Sequence, residues 1–294
     1  MDKKALIFPG QGSQYSGLGK DSFKLSSFAK NTYNIANDIL GYNIKEISFT
    51  SNIDEISNTK YAQPLIFIYS VLATYYLEKK GFNFDMVSGH SLGEISALVS
   101  AKSISIEDAL KIIKVRASKM ESSGYKNPGR MLALLDATKE QIDELCNIST
   151  IVIANINSKN QIVLSGSNKD IEKAIDLSKK INIRKVVKIN VSGAFHSPLM
   201  KDVTDDLKKT LDNVNFNDAI IPIYQNMTSK PTMNKVELKK NLLSQIENPV
   251  NWVKIINNMD EDNVKLYVET GPGTILQGLN KRITKNKTIG FNEI

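Results

Sequence analysis

The chain has 294 residues, of which 41% are hydrophobic and 23% charged, with a net charge of +7. That suits one large domain with a smaller insertion and an ordinary core, and no apolar run nears the roughly 20 residues needed to cross a bilayer. One cysteine, Cys146, and two histidines exclude an internal disulfide and a zinc cluster. The lysines are dispersed without interleaved aromatics, which argues against nucleic acid and favours an acidic protein or a phosphorylated small molecule as partner.

The first residues, Met1-Asp2-Lys3-Lys4-Ala5-Leu6-Ile7-Phe8, enter a strand at once and leave no room for a signal or transit peptide. A cytoplasmic protein is the expectation. The strand runs into Pro9-Gly10-Gln11-Gly12-Ser13-Gln14. This loop fails the Walker A spacing, with Gln14 where the first glycine belongs and Asp21 where Ser/Thr belongs. It fails the dinucleotide pattern at Tyr15. Two readings stay open: a plain strand–helix turn, or a loop aiming backbone N–H groups and the Gln11 amide into a site at the strand's C-terminal end.

Helices are expected over 22–40 and 64–80, with Pro64 in the first turn of the second. Next comes Met86-Val87-Ser88-Gly89-His90-Ser91-Leu92-Gly93-Glu94, a short apolar run ending in Gly-x-Ser-x-Gly and followed by a helical pattern. This is the strand–turn–helix setting that lifts a serine out as a nucleophile, with free N–H groups at the helix start to receive an oxyanion. A second helix begins at Ser105, which forms a capping box with Asp108. Its apolar face (Ala109, Ile112, Ile113, Ala117, Met120) also carries Arg116. A guanidinium aimed at a core needs an anionic partner, snorkels to water, or awaits a substrate carboxylate.

From Gly124 the pattern changes to strand 131–135, helix 138–146, strand 151–156, strand 162–165, helix 169–180 and strand 185–189. The order βαββαβ is a ferredoxin-like unit. We expect an α/β protein with a large domain over 1–124 and 191–294 and a small domain over 125–190. The chain then returns at Ala194-Phe195-His196-Ser197-Pro198. His90 adjoins Ser91, where consecutive side chains diverge, so elimination leaves His196 as the general base for Ser91. A helix over 199–211, a strand over 221–226, a helix opened by Asn248-Pro249-Val250, a strand over 266–269 and a helix ending near Arg282 complete the chain. Asp202 and Glu269 are read as solvated or capping acids, not as partners of His196.

Seven stretches in order resemble the malonyl-CoA:acyl carrier protein transacylases: Phe8 to Gln14, Gly89 to Glu94, Arg116, Ala154-Asn155-Ile156-Asn157-Ser158, Ala194 to Ser197, Asn248-Pro249-Val250-Asn251-Trp252 and Glu269-Thr270-Gly271-Pro272-Gly273. The resemblance implies an α/β-hydrolase-like large domain, with the ferredoxin-like domain forming one wall of the cleft. It implies Ser91 as the acylated nucleophile, His196 as base, and the Gln11 and Leu92 N–H groups as oxyanion hole. Arg116 would bind the malonyl carboxylate. A backbone carbonyl at Gln245 would orient His196 in place of an acid, and Phe195 would mark malonyl selectivity. It implies no metal and no cofactor. The substrates would be malonyl-CoA and a phosphopantetheinylated, acidic acyl carrier protein, met transiently by a monomeric enzyme that stands alone in a dissociated system. Leu18, Ile95-Ser96 and a short turn at 147–149 depart from the family's usual residues without touching this chemistry. The first alternative is a serine hydrolase or thioesterase using the same Ser91 and His196; the second is a non-catalytic carrier-docking module.

Overall fold

In a computed structural model that describes residues 2–294, the chain builds two sheets. The N-terminal part supplies β1 (Lys3–Phe8) and β2 (Met86–Gly89). The middle supplies β3 (Gly129–Leu135), β4 (Val152–Ser158), β5 (Gln161–Ser167) and β6 (Lys185–Ile189). The remainder gives β7 (Ile223–Tyr224), β8 (Pro231–Thr232), β9 (Val250–Asn251), β10 (Val264–Glu269) and β11 (Lys287–Gly290).

The larger sheet has the order β11-β10-β1-β2-β7-β8, parallel except for β8. Helices must therefore cover both faces, and β1 shows how alternate side chains divide between them. Leu6 and Phe8 join the main core with the helices Thr59–Lys79 and Ile106–Lys126. Ala5 and Ile7 pack on the opposite side with Trp252, Ile255 and Ile256 of the helix Trp252–Glu261. The strand ends β1 and β2 thus open beside each other at one edge of the core, where ligands of parallel α/β sheets bind.

The smaller sheet has the order β6-β3-β5-β4-β9. Each of its first four strands is antiparallel to its neighbour, the ferredoxin-like arrangement, while β9 adds on parallel to β4. Leu132 and Leu134 face the helices Lys139–Cys146 and Asn168–Lys180 in a core of their own. Met131 and Ala133, from the same strand, face the main core. The helix Ile106–Lys126 runs on past residue 124, and β9 brings a strand from beyond residue 190. Where the chain passes between the sheets, Gly124 meets the Ser192 carbonyl; a Cβ there would sit 1.8 Å from that oxygen.

Several local expectations change. The helix over 22–40 is broken at Ser26, whose side chain caps Ser27–Leu40 by accepting from Ala29 N–H. Pro64 sits well inside Thr59–Lys79 and not in its first turn. The carbonyl that Pro64 cannot bond, that of Lys60, accepts the Tyr42 hydroxyl at 3.0 Å instead, which offsets the lost hydrogen bond. Only half of the box at Ser105 forms: its Oγ accepts from Asp108 N–H, while the short Asp108 side chain turns to Lys111. Asn248 to Val250 precede the helix at Trp252, and the helix Lys235–Ser244 arises where none was expected. No helix among the described residues is long and apolar enough to cross a membrane.

Candidate active site

The Gly-x-Ser-x-Gly turn joins β2 to the helix Gly93–Ser100. Its glycines are required by close approach. A Cβ on Gly89 would lie 1.9 Å from the Gly93 carbonyl carbon, and one on Gly93 would lie 2.1 Å from the Phe8 oxygen. The conformational strain falls on the serine itself, held at φ 52°, in the left-handed region that ordinary residues avoid. His196 is held in the same region, at φ 57°. Two strained residues on separate loops face each other.

Ser91 Oγ lies 2.8 Å from His196 Nε2. The other ring nitrogen, Nδ1, is 3.0 Å from the Gln245 carbonyl and 3.1 Å from that of Asn248. Carbonyls only accept, so Nδ1 carries the proton and Nε2 is left to accept from the serine hydroxyl. Burial, and then the Arg116 charge, push the imidazole down to about 3, against the pull of the two carbonyls. The ring is therefore neutral throughout the physiological range, with Nε2 free to accept from the serine hydroxyl. The Gln245 backbone oxygen thus lies on Nδ1, and Asn248 adds a second carbonyl that sequence reading missed.

Arg116 is 1% exposed. Its Nη1 donates to Gln63 Oε1 at 2.7 Å, and its Nη2 to Ser91 Oγ at 3.0 Å and Gln245 Oε1 at 3.1 Å. Its Nε is buried with no hydrogen-bond partner. Neither snorkelling nor a direct ion pair among the described residues accounts for this charge. Burial lowers the guanidinium to about 10, and the attraction that opposes the shift comes from Glu94. Glu94 is itself fully buried, and burial raises it to about 7.

Gln11 and Leu92 line the same cavity as Ser91. No described residue accepts from the N–H of either, and Leu92 stands at the start of the helix Gly93–Ser100. The Gln11 amide, by contrast, is not aimed into the site. Its Nε2 donates to Thr59 Oγ1 at 3.1 Å, and Thr59 in turn meets Ser192 Oγ at 3.0 Å. His90 turns away to Asn157 Oδ1 at 2.8 Å and lies beside Trp252. Phe195 is nearly buried and lines the cavity with Met120, Met131 and Val163. Glu269 caps the helix Ile275–Asn280 by accepting from the Leu276 and Gln277 N–H groups.

The cavity holds about 160 Å³ and takes its walls from both sheets. One side is polar (Ser91, His196, Arg116, Gln63), and the other carries the apolar side chains of β3, β5 and β6. This can hold a short acyl group with an anionic end on Arg116 and its carbonyl on Ser91. No group of three His, Cys, Asp or Glu side chains able to hold a metal occurs among the described residues. Gln63, Glu94, Asn226 and the Gln245 side chain escaped the sequence reading. A lone buried amide has no periodicity to betray it, although the Glu94 carboxylate at the head of an apolar helix was a signal.

Comparison with known proteins identifies the family of the whole chain. The model of the acyl transferase domain matches residues 5–289. The malonyl CoA-acyl carrier protein transacylase of Bacillus subtilis (strain 168) is 33% identical, over 100% of this chain and 94% of that protein. The solved malonyl-CoA:ACP transacylase of Synechocystis sp. PCC 6803 superposes with a TM-score of 0.92 at 34% identity, covering 99% of this chain and 100% of that one. A malonyl-transacylase solved in complex with a type II polyketide synthase acyl carrier protein gives 0.92 at 29% identity, covering 98% and 94%. With its fold and its full length in common with these proteins, the chain belongs to the acyl transferase family, among the malonyl-CoA:acyl carrier protein transacylases.

Proposed function

We propose that the protein transfers the malonyl group of malonyl-CoA to the phosphopantetheine thiol of acyl carrier protein through a malonyl-serine. The observation that carries this reading is Arg116, a buried cation 3.0 Å from the Oγ of an activated serine. Ser91 Oγ attacks the thioester carbonyl as its proton passes to His196 Nε2. The oxyanion is received by the Gln11 and Leu92 N–H groups. The sulfur of CoA leaves with the proton from His196. The carrier thiol then gives its proton to His196 and attacks the malonyl-serine, restoring Ser91.

Arg116 has two tasks in this scheme. Its planar fork fits a carboxylate, and the grip selects a dicarboxylic acyl group and aligns the carbonyl at the other end. Phe195 closes the apolar side against bulkier acyl chains. The large domain (1–124 and 191–294) supplies the chemistry and the small domain (125–190) the facing wall. The enzyme works as a cytoplasmic monomer without cofactor, and its net charge of +7 suits brief encounters with an acidic carrier.

Incubation with malonyl-CoA tests the reading. A malonyl-enzyme stable to water and discharged by added thiol is expected; rapid hydrolysis without thiol would make it a thioesterase.

A further inference from the structure

Beneath the serine turn lies a polar layer that does not line the cavity. Asn226 follows β7 and is 1% exposed. Its side chain holds both ends of the turn: Nδ2 donates to the Gly89 carbonyl at 2.6 Å, and Oδ1 accepts from the Ser91 N–H at 2.7 Å. A carbonyl only accepts and an N–H only donates, so the amide fits in one orientation alone. The Asn226 main chain is held in turn, because its N–H donates to Glu94 Oε2 at 2.6 Å. The other Glu94 oxygen accepts from Gln225 Nε2 at 3.1 Å, and Gln225 is tied to the helix Lys235–Ser244 through Leu238 O and Asn241.

Burying a carboxylate and two amides together is costly unless each is satisfied, and a layer of apolar side chains would fill the space more cheaply. What the polar layer provides is a fixed separation between the two peptide groups flanking His90. Ser91 sits at φ 52°, a conformation that residues with a side chain rarely adopt and that persists only when its surroundings enforce it. Relaxation of that turn would swing Oγ away from the 2.8 Å contact with His196.

We propose that Asn226, anchored by Glu94, is a positioning residue for acyl transfer, clamping the strained serine turn so that Ser91 Oγ stays on His196 Nε2. The proposal rests on Ser91 being the nucleophile but is independent of which acyl group it receives. A displacement of about 1 Å at a reacting atom costs about 100-fold in rate, and that is the effect at stake.

The decisive variant is Asn226→Asp. When ionised, its side chain sets a carboxylate oxygen against the Gly89 carbonyl, and the clamp opens. When protonated, an O–H replaces the amide N–H, the bond to Gly89 re-forms, and the second oxygen still accepts from Ser91 N–H. The burst of CoA release from malonyl-CoA is measured between about pH 5.5 and 8.5, with labelling of Ser91 by a fluorophosphonate probe in parallel. Each variant rate is divided by the wild-type rate at the same pH, so that the ratio reports the new carboxyl together with any shift it imposes on Glu94, Arg116, His90 and His196.

The expected ratio is about 0.01 at the alkaline end with an unchanged KM, rising about tenfold per pH unit towards acid until the carboxyl is protonated. A wild-type rate, a loss that is flat with pH, or a loss confined to KM overturns the proposal. Should Asn226→Asp not fold, Glu94→Gln, which withdraws one acceptor from the anchor, is expected to lower kcat about tenfold at constant KM; an unchanged kcat overturns it equally. If wild type is labelled by the fluorophosphonate yet gives no burst with malonyl-CoA, the substrate reading fails, and the pH signature read by labelling still decides the role of Asn226.

Discussion

Replacing Arg116 by methionine removes the charge while keeping much of the apolar stem. Three contacts disappear, to Gln63, Ser91 and Gln245, at 2.7, 3.0 and 3.1 Å. For an acyl group with a terminal carboxylate, two charge-assisted hydrogen bonds are forfeited at about 1.5–3 kcal/mol each, so kcat/KM for malonyl-CoA should fall between about 10² and 10⁴-fold. Acetyl-CoA makes no such bonds, and its transfer should fall far less or rise. A second effect follows from the charge itself. Arg116 is among the causes that hold His196 down, so its removal moves the imidazole upward and brings an acid limb closer to neutral pH. Fold stability changes in two opposed ways. The Gln63 and Gln245 amide oxygens lose their donor at about 1–3 kcal/mol each, while the burial of a cation is relieved. The assay is single-turnover acylation with both thioesters across pH, alongside thermal unfolding. Equal losses with malonyl and acetyl groups, together with an unmoved pH profile, would refute the assignment and make Arg116 a structural residue.

His196→Ala should slow serine acylation about 10²- to 10⁴-fold, read as the CoA burst, whereas loss of the base from the mechanism would show as a near-normal burst. The same residue gives a stability signature. Its folded value of about 3 lies below the ordinary 6.5, so its contribution is fully present above 6.5 and is lost as pH falls from there towards 3. The stability advantage of wild type over His196→Ala should shrink on acidification through that window, and a gap constant with pH would refute the depressed value. Gly93→Ala should destabilise by more than the usual 1–3 kcal/mol of overpacking, because the new methyl meets backbone (the Phe8 carbonyl, 2.1 Å away) and no side chain can swing aside. Thermal unfolding at the wild-type temperature would sink that argument.

The α/β architecture was legible because its signals are periodic. β1 alternates between two cores, and the middle of the chain repeats strand and helix at ferredoxin-like spacing. Ser91, His196 and Arg116 were each legible for a separate reason: a strand–turn–helix motif, a shortage of histidines, and a charge in an apolar stripe. The structure brings the last two within hydrogen-bonding distance of the oxygen of the first, Ser91 Oγ. Gln245 emerged only through family resemblance, since a backbone carbonyl leaves no mark on a sequence. Gln63 and Asn226 left none either. Each is a single amide whose use depends on a partner 53 or 135 residues away. Pro64 misled because the Tyr42 hydroxyl that rescues its helix is remote in sequence.

The carbonyls on His196 and the cation on Ser91 belong to one solution. Nη2 of Arg116 and Nε2 of His196 both reach Ser91 Oγ, at 3.0 and 2.8 Å, so the guanidinium and the imidazole share one small volume. An aspartate at Nδ1 would stabilise the imidazolium better, as it does in serine hydrolases, but it would also place a fixed anion beside the cation proposed to hold the substrate. At low dielectric that anion would compete with any incoming carboxylate. Two backbone carbonyls fix the same tautomer and add only dipoles. The carboxylate that does attract Arg116, Glu94, is bound to the Asn226 N–H and the Gln225 amide beneath the serine turn and does not line the cavity. With its value at about 10, Arg116 stays charged at neutral pH, and the acid that attracts it lies outside the cavity wall, an arrangement compatible with the proposed recognition of an acyl group by its own carboxylate.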